Sequence, residues 1–314
     1  MRHVLVLAGG LSHERDVSLR SGRRVADALN RSGSEAHLRD VDHTLLEAIK
    51  SSRPEVIWPV LHGVSGEDGA LGDVLGSLDI AYVGSRPASC RLTWDKPVAK
   101  ALVTAAGIST PTGMALSHTT FRELGAPALL ESVIDSLGLP LAVKPSRGGS
   151  SLGLTIVRSA TELPSAMVTA YAYGDVAMIE RFIEGVEVAL SIVEDSQGLV
   201  QTLPAVEIVP DGGVYNYEAR YTAGATEFFT PARLSSSAAS SAAAVSLAAY
   251  HTLGHQHLSR VDLIIDADER PWFLEANVSP GMTETSLLPM AVEAAGLDAT
   301  EVYAGIVERA VTTA

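Results

Sequence analysis

A chain of 314 residues with 46% hydrophobic residues, 27 Gly and 15 Pro has the composition of a folded protein, and its length suits about two or three lobes with a cleft between them. With 37 acidic against 23 basic side chains the formal net charge is −14, which argues against nucleic acid as a general partner and leaves phosphate binding to local Arg and Lys. The one cysteine, Cys90, excludes an internal disulfide and fits a reducing compartment, and no apolar run is long enough to span a membrane.

Residues 3–8 read as a buried parallel strand, and the turn Gly9-Gly-Leu-Ser-His-Glu-Arg-Asp16 feeds a helix beginning near Val17. The amino-terminal stretch is therefore expected to be a first strand and not a signal peptide. Further strand–helix pairs follow at about 35–40 and 43–51, 55–60 and 69–78, and 80–83 and 86–92, predicting a small doubly wound parallel lobe. Ligands of such a lobe gather at the carboxyl ends of its strands, which carry Glu14 and the stretch Leu61-His-Gly-Val-Ser-Gly-Glu-Asp-Gly69. The strict G-x-G-x-x-G spacing is absent, so NAD gets little weight. His62 has two readings here, a substrate contact or a core histidine satisfied by backbone.

Asp95 to Gly107 is an amphipathic helix with Lys96 at its start, and 108–111 is a linker into a second lobe. A lysine there works against the helix dipole, so a phosphate ligand gives it a purpose. An apolar strand from Leu139 ends in Lys144 and runs into Pro145-Ser-Arg-Gly-Gly-Ser-Ser-Leu-Gly153, whose successive N–H groups can wrap phosphate oxygens. No Gly-Lys-Ser/Thr closes that loop into a helix, so it is a flap between strands and not a P-loop. A helix at about 160–172 leads to the strand segments 176–183 and 185–193, placing Glu180 to meet an adenine and Glu187 near a ribose. Residues 210–224, with three tyrosines, predict a long ordered loop able to close a cleft. Ser235 to Leu253 is a small-residue helix packed on a core, and His251, His255 and His257 after it are expected at the surface.

Ser259 to Asp266 and Trp272 to Met282 read as two adjacent strands. The period of two puts Glu275 and Asn277 on one face, with Asp262 arriving from the partner strand. That oxygen cluster, free of Cys and His, suits Mg²⁺ completed by phosphate oxygens, with the Arg260 cation beside it.

Taken together these motifs resemble the ATP-grasp superfamily and, within it, the D-alanine–D-alanine ligases. The residues that carry the resemblance are Gly9 to Ser18, Leu61-His-Gly63, Gly66 to Gly69, Asp95-Lys96, Val143 to Gly153, Tyr217-Glu-Ala-Arg-Tyr221, Arg260-Val-Asp262 and Leu274 to Met282 with Ser286-Leu287. The resemblance implies an α/β fold with α+β lobes: an amino-terminal lobe at 1–95, a central lobe with the flap at 96–184, and a carboxyl-terminal lobe at 185–314 that encloses ATP against the central one.

It further implies ligation of two D-alanines through an acyl phosphate for peptidoglycan synthesis in the cytoplasm, while a homodimer is the base-rate expectation for the assembly. ATP and Mg²⁺ are the expected cofactors, with Mn²⁺ as a substitute and room for a monovalent cation; D-alanine is the substrate, and neither nucleic acid nor membrane is a partner. Glu14 would receive the first substrate's ammonium, Ser150 and Tyr221 would link the flap and the long loop to it, and Arg260 with the N–H of Gly281 would hold the oxyanion. Lys96, Lys144, Ser151 and Arg220 would meet the phosphates, while Glu180, Arg181, Phe182, Ile183 and Glu187 would line the adenine and ribose pocket. Asp262, Glu275 and Asn277 would bind the metal, and His62, Ser286 and Leu287 the substrates. Arg220 and Arg181 stand where the family usually has lysines, and a planar guanidinium meets phosphate differently from a compact ammonium. Three rivals stay open on the sequence: a ligase of a specialised pathway joining other amino acids, a non-catalytic nucleotide-binding regulator, and a plain kinase, which would leave a phosphorylated acceptor instead of a dipeptide.

Overall fold

The structure, a computed structural model, describes residues 1–222 and 224–313; the side chain of Tyr221 lies outside the described residues. The chain builds three sheets. The first is parallel, in the order β2-β1-β3-β4, from β1 (His3–Ala8), β2 (Glu35–Asp40), β3 (Val56–Pro59) and β4 (Ala81–Tyr82). Five successive residues of β1, Val4 to Ala8, are buried, because a parallel strand in mid-sheet is covered on both faces. Its crossovers are α1 (Arg15–Arg31), α2 (Leu45–Ser52), then the short α3 (Val64–Glu67) and α4 (Ala70–Gly76), with α5 (Pro87–Trp94) following β4. Gly22 lets α1 approach β1 closely, since a Cβ there would stand 2.6 Å from that of Ala8.

Helix α6 (Lys96–Ala105) is capped by Asp95, whose carboxylate accepts from the Val98 N–H at 3.3 Å. Its apolar face, Ala99 and Val103, joins Ile108 in the core under the third sheet. The segment expected to open the central lobe at residue 96 therefore belongs by packing to the third sheet. The second sheet, β5-β8-β6-β7, is antiparallel and comprises β5 (Gly113–Ser117), β6 (Leu141–Pro145), β7 (Thr155–Val157) and β8 (Val176–Arg181). Between its strands lie α7 (His118–Leu124), α8 (Ala126–Leu137) and α9 (Leu163–Tyr171). Leu130, Val133 and Leu137 of α8 and Leu163 and Met167 of α9 pack against Leu141, Val143 and Ile179, each buried side chain of this kind contributing about 1.5–3 kcal/mol. The flap is the connection between β6 and β7.

The third sheet runs β12-β11-β9-β13-β14, with β10 paired to β9. Its strands are β9 (Val186–Glu194), β10 (Val200–Thr202), β11 (Val206–Pro210), β12 (Thr226–Phe229), β13 (Leu258–Ile265) and β14 (Pro271–Asn277). Residues 210–224, expected as loop, contain a short helix, α10 (Tyr217–Tyr221), whose cap Asn216 accepts from the Ala219 N–H at 2.9 Å. One face of the sheet is covered by α6 and α11 (Ser236–Thr252), which buries Ala238, Ala242, Ser246 and Ala249 at helical spacing. The other face shares a core with the first sheet through α12 (Leu287–Ala294) and α13 (Ala299–Thr312), where Val4, Val6 and Trp58 meet Ile306, Val307 and Tyr303.

His255 and His257 are not at the surface as expected from their place after a helix. Both are buried: His255 Nε2 pairs with Thr93 Oγ1 at 2.8 Å, and His257 Nδ1 accepts from the Gly84 N–H at 3.0 Å. They join α5 and the end of β4 to the third sheet. Among the described residues no helix is long and apolar enough to cross a membrane.

Candidate functional site

A cavity of about 390 Å³ opens between the second and third sheets. The flap, β6 and β8 form one wall; β9, β11, β13 and β14 form the other. Of the residues expected at the nucleotide, it is lined by Lys96, Lys144, Ser151, Glu180, Arg181, Phe182, Ile183, Glu187 and Arg220, and it reaches Asp262 and Glu275. Phe182 and Ile183 supply apolar wall where β8 gives way to β9, and Arg181 is exposed at the rim.

The hairpin of β13 and β14 brings its charged residues into register, with Asp262 opposite Glu275 and Arg260 opposite Asn277. A bulge between Asp262 and Leu263 shifts the pairing beyond that point. Arg260 donates to both oxygens of Asp262, from Nε and from a terminal nitrogen, at 2.7 Å each. Burial works against the Arg260 charge, but Asp262 and Glu275 outweigh it and hold the guanidinium above its usual range. Burial likewise works to raise the Glu275 carboxyl, yet Lys96, 3.5 Å away, and Lys144, Arg260 and Arg220 hold it down at about 2. Glu187 goes the other way: burial, then the charges of Asp262 and Glu275, push it up to about 7.

Whether these residues suit a divalent cation is decided by their donor atoms. Among the described residues no three His, Cys, Asp or Glu side chains form a metal-holding group. What the hairpin offers is two carboxylates and one amide oxygen, all hard donors. The Asp262 oxygens already accept from Arg260, and Asn277 Oδ1 accepts from the Ser279 N–H at 2.7 Å, but each oxygen has a second lone pair. A set this small fits Mg²⁺, which keeps water and phosphate oxygens as its remaining ligands.

The flap is fastened across the cavity mouth at three points. Arg147 donates to Asp95 at 2.9 and 3.1 Å, Lys96 Nζ donates to the Gly148 carbonyl at 2.6 Å, and Ser150 Oγ donates to Glu14 Oε1. Ser150 and Ser151 hold φ of 52° and 55°, a left-handed conformation unfavourable for residues other than Gly and maintained by the surrounding contacts. Glu14 and Ser150, separated by 136 positions, thus come together as the sequence leads one to expect. The contacts of the Tyr221 side chain, expected as the third member, fall outside the described residues.

On the first-lobe side the turn after β14 is anchored to α1 and to the end of β3. His62 Nδ1 donates to the Ser279 carbonyl at 3.0 Å, its Nε2 lies 3.4 Å from Ser21 Oγ, and Ser21 accepts from the Met282 N–H at 3.1 Å. Both ring nitrogens are therefore engaged by protein, and burial pushes the His62 pKa down. Gly281 lies against Ser286: a Cβ on it would sit 2.7 Å from Ser286 Oγ, which itself accepts from the Thr283 N–H at 3.0 Å. Leu287 opens α12, so its N–H belongs to a helix start suited to an anion.

Three features depart from what the sequence suggested. The Glu180 carboxylate does not stand free for an adenine, because it is ion-paired to Lys100 and, at 2.7 Å, to Lys144. Glu67, buried under the flap and accepting from the Gly63 N–H at 2.7 Å, is pushed up to about 8 by burial and by the charge of Glu14; it lines a small pocket with Ser150, Arg260 and Asn277. Tyr215 carries the Arg220 guanidinium 4.4 Å above its ring. Lys100 has a signal in hindsight, lying one helical turn from Lys96 on the same face of α6.

Two antiparallel sheets closing over an oxygen-rich hairpin, with Lys96 and Lys144 lining the cleft and a flap across its mouth, define an ATP-grasp architecture. A crystal structure of D-alanine–D-alanine ligase from Bacillus anthracis, complexed with ATP, superposes with a TM-score of 0.83 at 29% identity, covering 100% of this chain and 98% of that one. The VanG D-Ala:D-Ser ligase of Enterococcus faecalis does so with 0.85 at 25% identity, over 98% and 99%. The family model described as D-ala D-ala ligase C-terminus matches residues 102–308. The D-alanine–D-alanine ligase of Bordetella petrii is 39% identical over 305 residues, 97% of this chain and 91% of the relative, and that of Pelotomaculum thermopropionicum 37% over 97% and 95%. The chain belongs to the D-alanine–D-alanine ligase family.

Proposed function

We propose that this protein joins two molecules of D-alanine into D-alanyl-D-alanine, converting ATP to ADP and phosphate, to supply peptidoglycan precursor. The observation that carries the reading is the flap latched by Ser150 to Glu14 over a cleft whose floor is the Asp262–Glu275 hairpin. In the first step a carboxylate oxygen of one D-alanine attacks the γ-phosphorus, and the bond to the ADP oxygen breaks. Lys96, Lys144 and Arg220 line the cleft and offset the gathering negative charge. Mg²⁺ bound by Asp262, Glu275 and Asn277 would add to that neutralisation.

In the second step the amino group of the other D-alanine attacks the acyl carbon, phosphate leaves, and one proton is released. Arg260 and the Gly281 N–H stabilise the oxyanion of the tetrahedral intermediate. Glu14 takes the ammonium of the first substrate, and Ser286 with the start of α12 takes the carboxylate of the second. The closed flap keeps water from the acyl phosphate. A reducing cytoplasm suits a chain with one cysteine, and a homodimer is the assembly that symmetry favours.

The test is mass spectrometry of products formed from ATP, Mg²⁺ and D-alanine, with D-serine and D-lactate offered as competing second substrates. One dipeptide per ADP is expected. ADP release without D-alanyl-D-alanine, or no ADP at all, would refute the reading.

A further inference from the structure

The proposed chemistry needs Lys144 at the phosphates but gives no task to the buried charges behind it. Lys144, at the end of β6, lines the cavity, and its Nζ lies 2.7 Å from Glu180 Oε1 on the neighbouring strand β8. The other oxygen of that carboxylate accepts from Lys100 Nζ, which arrives from α6. Glu180 is 2% exposed and Lys100 5%. Lys100 does not line the cavity; it stands behind Glu180 as the cavity sees it. Burial pushes Lys100 down, against the pull of Glu180, and its ion pair with that buried carboxylate is what keeps the ammonium charged.

Two ammoniums share one carboxylate, and the cluster presents a net charge of +1 to an anion in the cleft. A buried carboxylate with a single cation would hold it firmly, because parting them leaves an unpaired charge out of water. With a second cation in place, the first can leave. We propose that Lys100 is a positioning residue for nucleotide binding: it keeps Glu180 paired and fixed, so that phosphate oxygens can draw Lys144 off Glu180 without stranding a buried carboxylate. This rests on the reading of the cleft as a nucleotide site, and Lys100 acts through Glu180 and Lys144, touching neither nucleotide nor amino acid.

The experiment compares K100M, K100R, E180Q and the double variant K100M/E180Q in the full chain. Affinity is read by calorimetric titration with a non-hydrolysable ATP analogue and Mg²⁺, which requires no turnover, and Michaelis constants are measured separately for ATP and D-alanine. K100M should weaken analogue binding about tenfold and raise the Michaelis constant for ATP in step, with that for D-alanine unchanged within about twofold. K100R should restore binding. In the E180Q background, where no carboxylate holds Lys144, adding K100M should change affinity by less than about twofold. If K100M alone does not fold, the comparison of E180Q with K100M/E180Q decides, since neither leaves a stranded carboxylate. Wild-type affinity in K100M, an equal loss in both backgrounds, or an equal rise in the Michaelis constant for D-alanine would overturn the proposal. A wild-type protein that binds the analogue but makes no dipeptide would refute the proposed function and leave this proposal standing; one that binds no analogue would refute both.

Discussion

His255 makes the protein lose stability in acid in a way that a single substitution can isolate. Its ring is fully buried, Nε2 is paired with Thr93 Oγ1 at 2.8 Å, and Nδ1 has no partner among the described residues. A second proton would have nowhere to bond, and burial pushes the folded pKa down to about 3 from the usual 6.5. Above pH 6.5 both folded and unfolded chains carry the neutral ring, so the contribution is complete. Below that value the unfolded chain binds a proton that the folded one refuses, and stability falls by about 1.4 kcal/mol per pH unit until about pH 3. Between pH 7.5 and 5.0 the loss is about 2 kcal/mol. Whole-protein stability hides this, because Glu67 and Glu187, pushed up to about 8 and about 7, shift it oppositely over the same range. The difference between wild type and H255Q removes that background. Urea unfolding of both proteins at the two pH values should show their stability gap narrowing by about 2 kcal/mol on acidification. A gap independent of pH would refute the assignment of a neutral, proton-refusing ring.

The remaining predictions concern the site. S150A removes the hydroxyl that ties the flap to Glu14; dipeptide formation should fall about tenfold, with phosphate release exceeding dipeptide as water reaches the acyl phosphate, and a ratio still at unity would count against the latch. EDTA should abolish ADP formation, and Mn²⁺ should restore it if the hairpin binds a hard divalent cation; activity persisting in chelator would rule that out. Y215L removes the ring beneath Arg220 and should raise the Michaelis constant for ATP about three- to tenfold, whereas Y215F should not. G281A brings a methyl to within 2.7 Å of Ser286 Oγ, and should raise the Michaelis constant for D-alanine more than that for ATP.

The parallel lobe was legible because its central strands β1 and β3 are short apolar runs, and the oxygen-rich hairpin because a period of two fixes which oxygens share a face. The expected meeting of Glu14 with Ser150 came from family resemblance, and the geometry agrees with it. What the sequence concealed were partners supplied by distant elements. Lys100 looks like a solvated helix lysine until Glu180 is seen opposite it. His255 and His257 follow a helix end, where an exposed cation is the ordinary expectation; instead both are buried, His255 paired with Thr93 of α5 and His257 with Thr313 just past α13. The packing of α6 on the third sheet was hidden for a related reason, since an amphipathic pattern marks a helix and not which sheet its apolar face will find.

The shared core of the first and third sheets has a consequence for synthesis. Trp58 in β3 packs edge to face on Tyr303 in α13, with ring centroids 5.6 Å apart, and α13 also lies against α1 and β4. The first lobe is translated early, yet the helix that seals it comes from the far end of the sequence. A nascent chain must therefore carry an unsealed apolar face while the rest is made, and a fragment stopping near residue 95 would expose that face, making it a client for chaperones and not an independent module.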